Sequence, residues 1–219
     1  MPTPFQRLLA RLLILLPLFL IGSNAMALEE PQYRLVATYP ELELRRYAPY
    51  LVAETEVRGD FEQVGNQAFR ILADYIFGNN RARERMAMTA PVNQRPAAGE
   101  TMAMTAPVAQ EPRGEAAGRY VLSFVMPSGY TLQTLPEPVD PRVRLRALPA
   151  RLMAARRYTG RWTEENYRDN ETALLKALDA AGLSAVAAPV YARYNSPFSL
   201  PFLRRNEVLV EVAEPPQRD

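Results

Sequence analysis

Alternation of apolar and polar residues marks two similar strands: Leu42-Glu43-Leu44-Arg45 and Val143-Arg144-Leu145-Arg146 each put apolar side chains on one face and polar ones on the other, as half-buried strands do. The spacing then becomes helical. Val64, Ala68, Ile71, Leu72 and Tyr75 form one stripe, predicting a helix that opens at Asp60, with Gln63 in a capping-box-like position, and runs to Phe77 before Gly78 stops it. Tyr167, Leu174, Leu178 and Ala181 predict a second helix from near Thr163 to Ala181, ended by Gly182. Further strands are expected at Tyr33 to Ala37, Tyr120 to Val125, Tyr191 to Tyr194 and Glu207 to Val212.

The two halves repeat each other at an offset of 101 residues. Leu51-Val52-Ala53 leading to Val57-Arg58-Gly59-Asp60-Phe61 parallels Leu152-Met153-Ala154 leading to Tyr158-Thr159-Gly160-Arg161-Trp162. Each helix is followed by Ala-Pro-Val, at Ala90 to Val92 and Ala188 to Val190. A β-β-α-β unit used twice predicts an α+β domain, a distorted antiparallel barrel or curved sheet with two main helices. Between sheet and helices such a domain offers an apolar cleft for a small ligand.

A second repeat is local. Met-Ala-Met-Thr-Ala-Pro-Val occurs at Met86 to Val92 and again at Met102 to Val108. Read as strands, one copy places Met86, Met88, Ala90 and Val92 on one face, and the other Met102, Met104, Ala106 and Val108. Asn93 to Thr101, with Pro96 and Gly99, suits a long hairpin loop. These methionines read first as packing residues and second as the lining of a ligand site.

The first residues change the picture of the mature chain. Arg7 and Arg11, the apolar run Leu12 to Ile21 and Ala25-Met26-Ala27 form a secretory signal with its cleavage motif. Leu12 to Ile21 is half the roughly 20 apolar residues needed to span a bilayer. The expected organisation is a signal peptide over 1–27, one ligand-binding domain over 28–213 and a frayed tail over 214–219, in a periplasmic or secreted protein with no stable membrane anchor after cleavage. Losing Arg7 and Arg11 equalises the 26 basic and 24 acidic side chains of the whole sequence. No basic block with interleaved aromatics is present, so nucleic acid is not an expected partner.

The chain has neither cysteine nor histidine. Disulfides, thiol chemistry, triads and imidazole ligation are thereby excluded. A hydrolase would need a carboxylate base, for which Glu54 or Glu56 on a strand is the first choice. The Met-x-Met pairs offer soft thioethers of the kind that hold Cu(I), but no second soft ligand type accompanies them. Phosphate-cradling glycine loops and zinc or calcium ligand spacings are missing.

Several segments together resemble the SOUL family of haem-binding proteins: Leu44-Arg45-Arg46-Tyr47, Tyr50 to Thr55, Tyr75-Ile76-Phe77-Gly78-Asn79-Asn80, the Met-Ala-Met-Thr-Ala-Pro-Val pair, Phe124-Val125-Met126-Pro127, Leu135-Pro136, Tyr194-Asn195-Ser196-Pro197 and Arg204-Arg205-Asn206-Glu207. The resemblance covers nearly all of the expected mature chain. It implies a non-enzymatic protein of the barrel type argued above, similar also to small-molecule effector domains, that binds haem or a related tetrapyrrole non-covalently. It places the ligand against Asn66, Phe69, Leu72 and Ala73 of the first helix and Phe198, Leu200 and Phe202 of the loop before the last strand, with Arg70, Arg204 or Arg205 near the propionates. Asn66 and Leu200 are uncharged where basic residues have been implicated in relatives. Met86, Met88, Met102, Met104, Tyr75 and Tyr194 are the remaining axial ligands by residue type. The Arg-Arg-Asn-Glu cluster reads first as a pin for the last strand through local pairing.

Overall fold

The computed structural model describes residues 28–82, 99–112, 118–196 and 198–214. Among the described residues eleven strands and two long helices follow in the order β1 (Tyr33–Tyr39), β2 (Leu42–Tyr47), β3 (Tyr50–Arg58), α1 (Phe61–Ile76), β4 (Asn80–Arg81), β5 (Val108–Pro112), β6 (Arg119–Val125), β7 (Glu137–Pro138), β8 (Arg144–Leu148), β9 (Arg151–Tyr158), α2 (Glu164–Ala181), β10 (Val190–Arg193) and β11 (Asn206–Glu211). Nine strands form one antiparallel sheet, ordered β1-β2-β9-β11-β10-β5-β6-β3-β8, which curls into a half-barrel. The expected α+β fold of two repeated units is what the chain adopts.

Pairing register shows the repeat directly. In β2·β9, Glu43 faces Ala155 and Tyr47 faces Arg151; in β8·β3, Arg144 faces Glu54 and Leu148 faces Tyr50. Shifting one register by the 101-residue offset reproduces the other. The first strand of each unit therefore pairs with the second strand of the other unit, not with its own neighbour. At the centre β5 meets β10, with Ala109 opposite Ala192. From that pair outward, β6, β3 and β8 on one side mirror β11, β9 and β2 on the other.

Each helix covers its own half of one sheet face. Val64, Ala68, Leu72, Tyr75 and Ile76 of α1 pack with Ala53, Val57, Leu122 and Phe124. Tyr167, Leu174 and Leu178 of α2 pack with Leu42, Leu44, Leu152, Ala154, Val208 and Val210. Phe61 joins the two cores, its ring 4.9 Å from Tyr167, 5.7 Å from Tyr120 and 5.8 Å from Tyr191. The other sheet face carries a smaller buried cluster of Tyr47, Met153, Ala155, Ala192 and Leu209, flanked by Tyr50 and Tyr194.

Helix ends explain where the stripes stop. Thr163 caps α2, its hydroxyl accepting from the Asn166 amide at 3.3 Å, and Gly182 closes it at φ 67°, a conformation that suits glycine. Thr163→Ala is expected to lower stability by about 1 kcal/mol, read as a fall in Tm of roughly 2–4 °C. Asp60 precedes α1 as expected, but its side chain makes no capping hydrogen bond, so the expected box with Gln63 does not form.

The heptapeptide needs correction. Its first copy lies outside the described residues. The second is not a strand over its length: only Val108 enters β5, and Met102 to Pro107 lead into it. Thr105 bridges Glu29, and the Ala106 amide donates to the Glu29 carbonyl. Ala106-Pro107-Val108 enters a central strand as Ala188-Pro189-Val190 does, while Ala90 to Val92 lies outside the described residues. Met102 is buried in the α1 core with Met104 and Val108 against it, the packing role first expected.

Candidate functional site

The α1 surface turned away from the core carries Asn66, Phe69 and Arg70, all exposed. Phe69 is 38% exposed, its ring 5.5 Å from Phe124 on the sheet below. Ala73 lies at the margin of the core, and Leu72, at 0% exposure, is wholly inside it. Leu72 therefore supports the helix from beneath and offers a ligand no surface.

The loop before β11 is strongly apolar and open. Phe198 is 95% exposed, Leu200 55% and Phe202 67%, with Leu203 beside them in the short 3-10 turn Pro201–Leu203. Burial normally drives such side chains inward, so this many on one short loop marks a contact surface. The loop is fixed by its backbone: Gly160 N–H donates to the Pro201 carbonyl at 3.0 Å, and Arg204 Nε donates to the Ser199 carbonyl at 2.9 Å.

A stacked relay connects helix and loop. The Arg204 guanidinium sits 4.3 Å from the Trp162 ring centre, and Arg193 5.1 Å from the same ring. Arg193 Nε donates to Tyr167 Oη at 2.6 Å, and its Nη2 to Gln110 Oε1 at 2.8 Å. Trp162 Nε1 donates to Asn206 Oδ1 at 2.8 Å. Where Arg193 meets α1 the helix has Gly65, and an added Cβ would lie 2.8 Å from Arg193 Nη1. Glycine there lets the helix approach the relay. Burial raises the Tyr167 hydroxyl pKa despite the nearby Arg193 charge. Sequence reading missed Gly65, Trp162 and Arg193, although Trp162 stands opposite Phe61 in the repeat.

Other candidates have structural partners. Arg205 pairs with Glu30 and Glu207, and Glu207 with Arg45, so this part of the Arg-Arg-Asn-Glu cluster pins β11. Tyr75 donates to the Pro136 carbonyl and Tyr194 to Glu207. Glu54 lies 3.0 Å from Arg146, and Glu56 2.6 Å from Arg119. Both glutamates alternate with Ala53 and Val57 of the α1 core, which places them on the helix-free face. Among the described residues no group of three or more Asp or Glu side chains is placed to hold a metal ion.

The model of the SOUL heme-binding protein family matches residues 28–211. The chain belongs to this family. Comparison with curated proteins finds no match. Among solved structures, SOUL architecture here is similar to the C-terminal domain of EcmrR, at TM-score 0.56 and 10% identity over 83% of this chain and 98% of that one. It is also similar to a hydrolase from Listeria innocua, at TM-score 0.53 and 10% identity over 81% of this chain and 94% of that one. A conserved protein from Listeria innocua gives TM-score 0.55 and 12% identity over 81% and 94%. At these identities the likeness is one of fold.

Proposed function

We propose that this protein binds haem or a related tetrapyrrole non-covalently on the apolar shelf between α1 and the Phe198–Leu203 loop, and that it catalyses no reaction of its own. The observation that carries this reading is the exposure of Phe198, Leu200 and Phe202 together on one short loop, supported by membership in a heme-binding family. The residues present fit a flat apolar ring: Phe69 offers one contact surface, with the largely buried Ala73 beneath it, and Phe198, Leu200 and Phe202 another. Asn66 lies at the edge, where it suits a polar substituent, and the Arg70 and Arg204 guanidiniums suit propionates.

Without histidine, affinity comes from buried surface. A few hundred Å² at ~25 cal/mol per Å² supports micromolar binding after the costs of association. Haem, when bound, supplies an iron with its own redox and ligand chemistry; the chain's residues bury the ring and shield it from water. Among the described residues no helix is long and apolar enough to cross a membrane. The signal-like start motivates the further proposal that the mature protein acts in the periplasm or outside the cell.

Hemin titration of the purified protein tests the reading. A saturable spectral change is expected, and Phe198→Ser combined with Phe202→Ser should weaken it at least tenfold, since each aromatic contributes about 1.5–3 kcal/mol when buried. A spectrum matching hemin on a non-specific carrier at every ratio would remove the assignment.

A further inference from the structure

We propose a second ligand site at the β3–β6–β8 end of the sheet, reaching the helix-free face at Arg151, for a small amphipathic carboxylate anchored by that residue. A cavity of about 300 Å³ lies at the ends of β3, β6 and β8, bounded by the Glu29–Gln32 segment and lined by apolar groups of Leu51, Val125, Met126 and Leu148. A smaller hollow of about 40 Å³ adjoins it, lined by Tyr47, Arg151, Met153, Tyr194 and Leu209. Pro31 and Tyr50 line both, so the two spaces meet at these residues. The larger has the size of a modest ligand pocket, and the smaller has room for a carboxylate group.

Arg151 gives the site its polarity. Its side chain is 16% exposed. Nη2 donates to Tyr50 Oη at 2.7 Å, while Nη1 reaches Glu211 only at 3.9 Å. Nε is buried and has no hydrogen-bond partner among the described residues. A buried donor on a charged group needs an acceptor, and a carboxylate matches the guanidinium fork with two. The carboxylates on the larger cavity are already engaged: Glu29 accepts from the Ser128 amide at 2.8 Å, and Glu30 pairs with Arg205 at 2.9 Å. That leaves the larger cavity for an apolar tail and the Arg151 hollow for the charged end. Glu29–Gln32 forms one wall of the tail space and is held in place by the Ala106 amide donating to the Glu29 carbonyl at 2.9 Å and the Ala48 amide to the Gln32 carbonyl at 3.0 Å.

Calorimetric titration of the whole protein with decanoate and with decanol tests the site. Decanoate is expected to bind at least tenfold more tightly than the alcohol. Arg151→Met should erase that preference and leave decanol binding unchanged, and Ala147→Trp, which fills the cavity from an exposed position, should weaken both. Hemin binding should be the same in both variants and undisturbed by saturating decanoate, which separates this site from the α1 shelf. Equal affinity for decanoate and decanol in the unaltered protein, decanoate binding unaffected by Ala147→Trp, or displacement of decanoate by hemin would overturn the proposal. The first two readouts stand whether or not Arg151→Met folds.

Discussion

Raising the pH above about 10 is expected to unfold the protein cooperatively, with tyrosinate absorbance and far-UV circular dichroism of the buried set changing in one step. Tyr47, Tyr158, Tyr167 and Tyr191 are buried, and burial raises all four hydroxyl pKa values, that of Tyr47 to about 12. In the unfolded chain each ionises near 10. Below that value both states keep the protons and stability is complete. Between the two pKa values the native state holds protons that the unfolded chain releases, so stability falls as pH rises. Tyr47 alone then accounts for roughly 3 kcal/mol across its gap, at ~1.4 kcal/mol per pH unit. Tyr158, Tyr167 and Tyr191 add in the same direction, and Tyr158 Oη has no hydrogen-bond partner among the described residues to stabilise its anion. Together they approach the ~5–15 kcal/mol that holds a typical domain folded. Buried tyrosines titrating near pH 10 in a chain that keeps its circular dichroism would contradict this account.

Replacing Arg45 by methionine should destabilise the protein by about 3 kcal/mol, measured by urea unfolding. Arg45 and Glu207 are both almost fully buried and meet through two hydrogen bonds, at 2.7 Å and 3.2 Å. Burial opposes the Arg45 charge, but hydrogen bonding to Glu207 and its field, aided by Tyr47, outweigh this and raise the Arg45 pKa. Without Arg45, Glu207 keeps Arg205 at 3.0 Å and Tyr194 at 2.8 Å. The expected loss therefore lies at the lower end of the ~3–5 kcal/mol for a broken buried pair. Adding Glu207→Gln removes a buried charge that Arg205 and Tyr194 only partly compensate and should recover about 1 kcal/mol. A single variant within ~0.5 kcal/mol of the parent, as for surface changes, would show that the pair is not buried in solution.

Much of the fold is legible in the sequence because local periodicity and global packing agree. The α1 stripe from Val64 to Tyr75 is buried throughout, and Thr163 and Gly182 end α2 by the chemistry their identities suggest. Strand order is less legible. β2 runs straight into β3, as a hairpin would, yet each pairs across the repeat, and only sheet curvature and helix placement decide that. The Met102 segment alternates like a strand but spends most of its backbone as a lead-in, since core packing of Met102 needs no ladder. At the candidate site, Phe198, Leu200 and Phe202 stand exposed, whereas Leu72 resembles Phe69 in the sequence and differs by facing inward. The Arg193-Trp162-Arg204 relay joins residues from three separate segments, which no local pattern reveals.

The exchange of strands between units sets an order of assembly. During synthesis β2 emerges early, but its partner β9 is absent until Arg151–Tyr158 has been made. The first unit by itself lacks a neighbour for β2, for β3 and for β5, so a fragment ending before β8 would present three unsatisfied edges. Such long-range closure slows folding relative to local pairing. The molecule becomes a folding unit only as a whole, and neither half is a portable module.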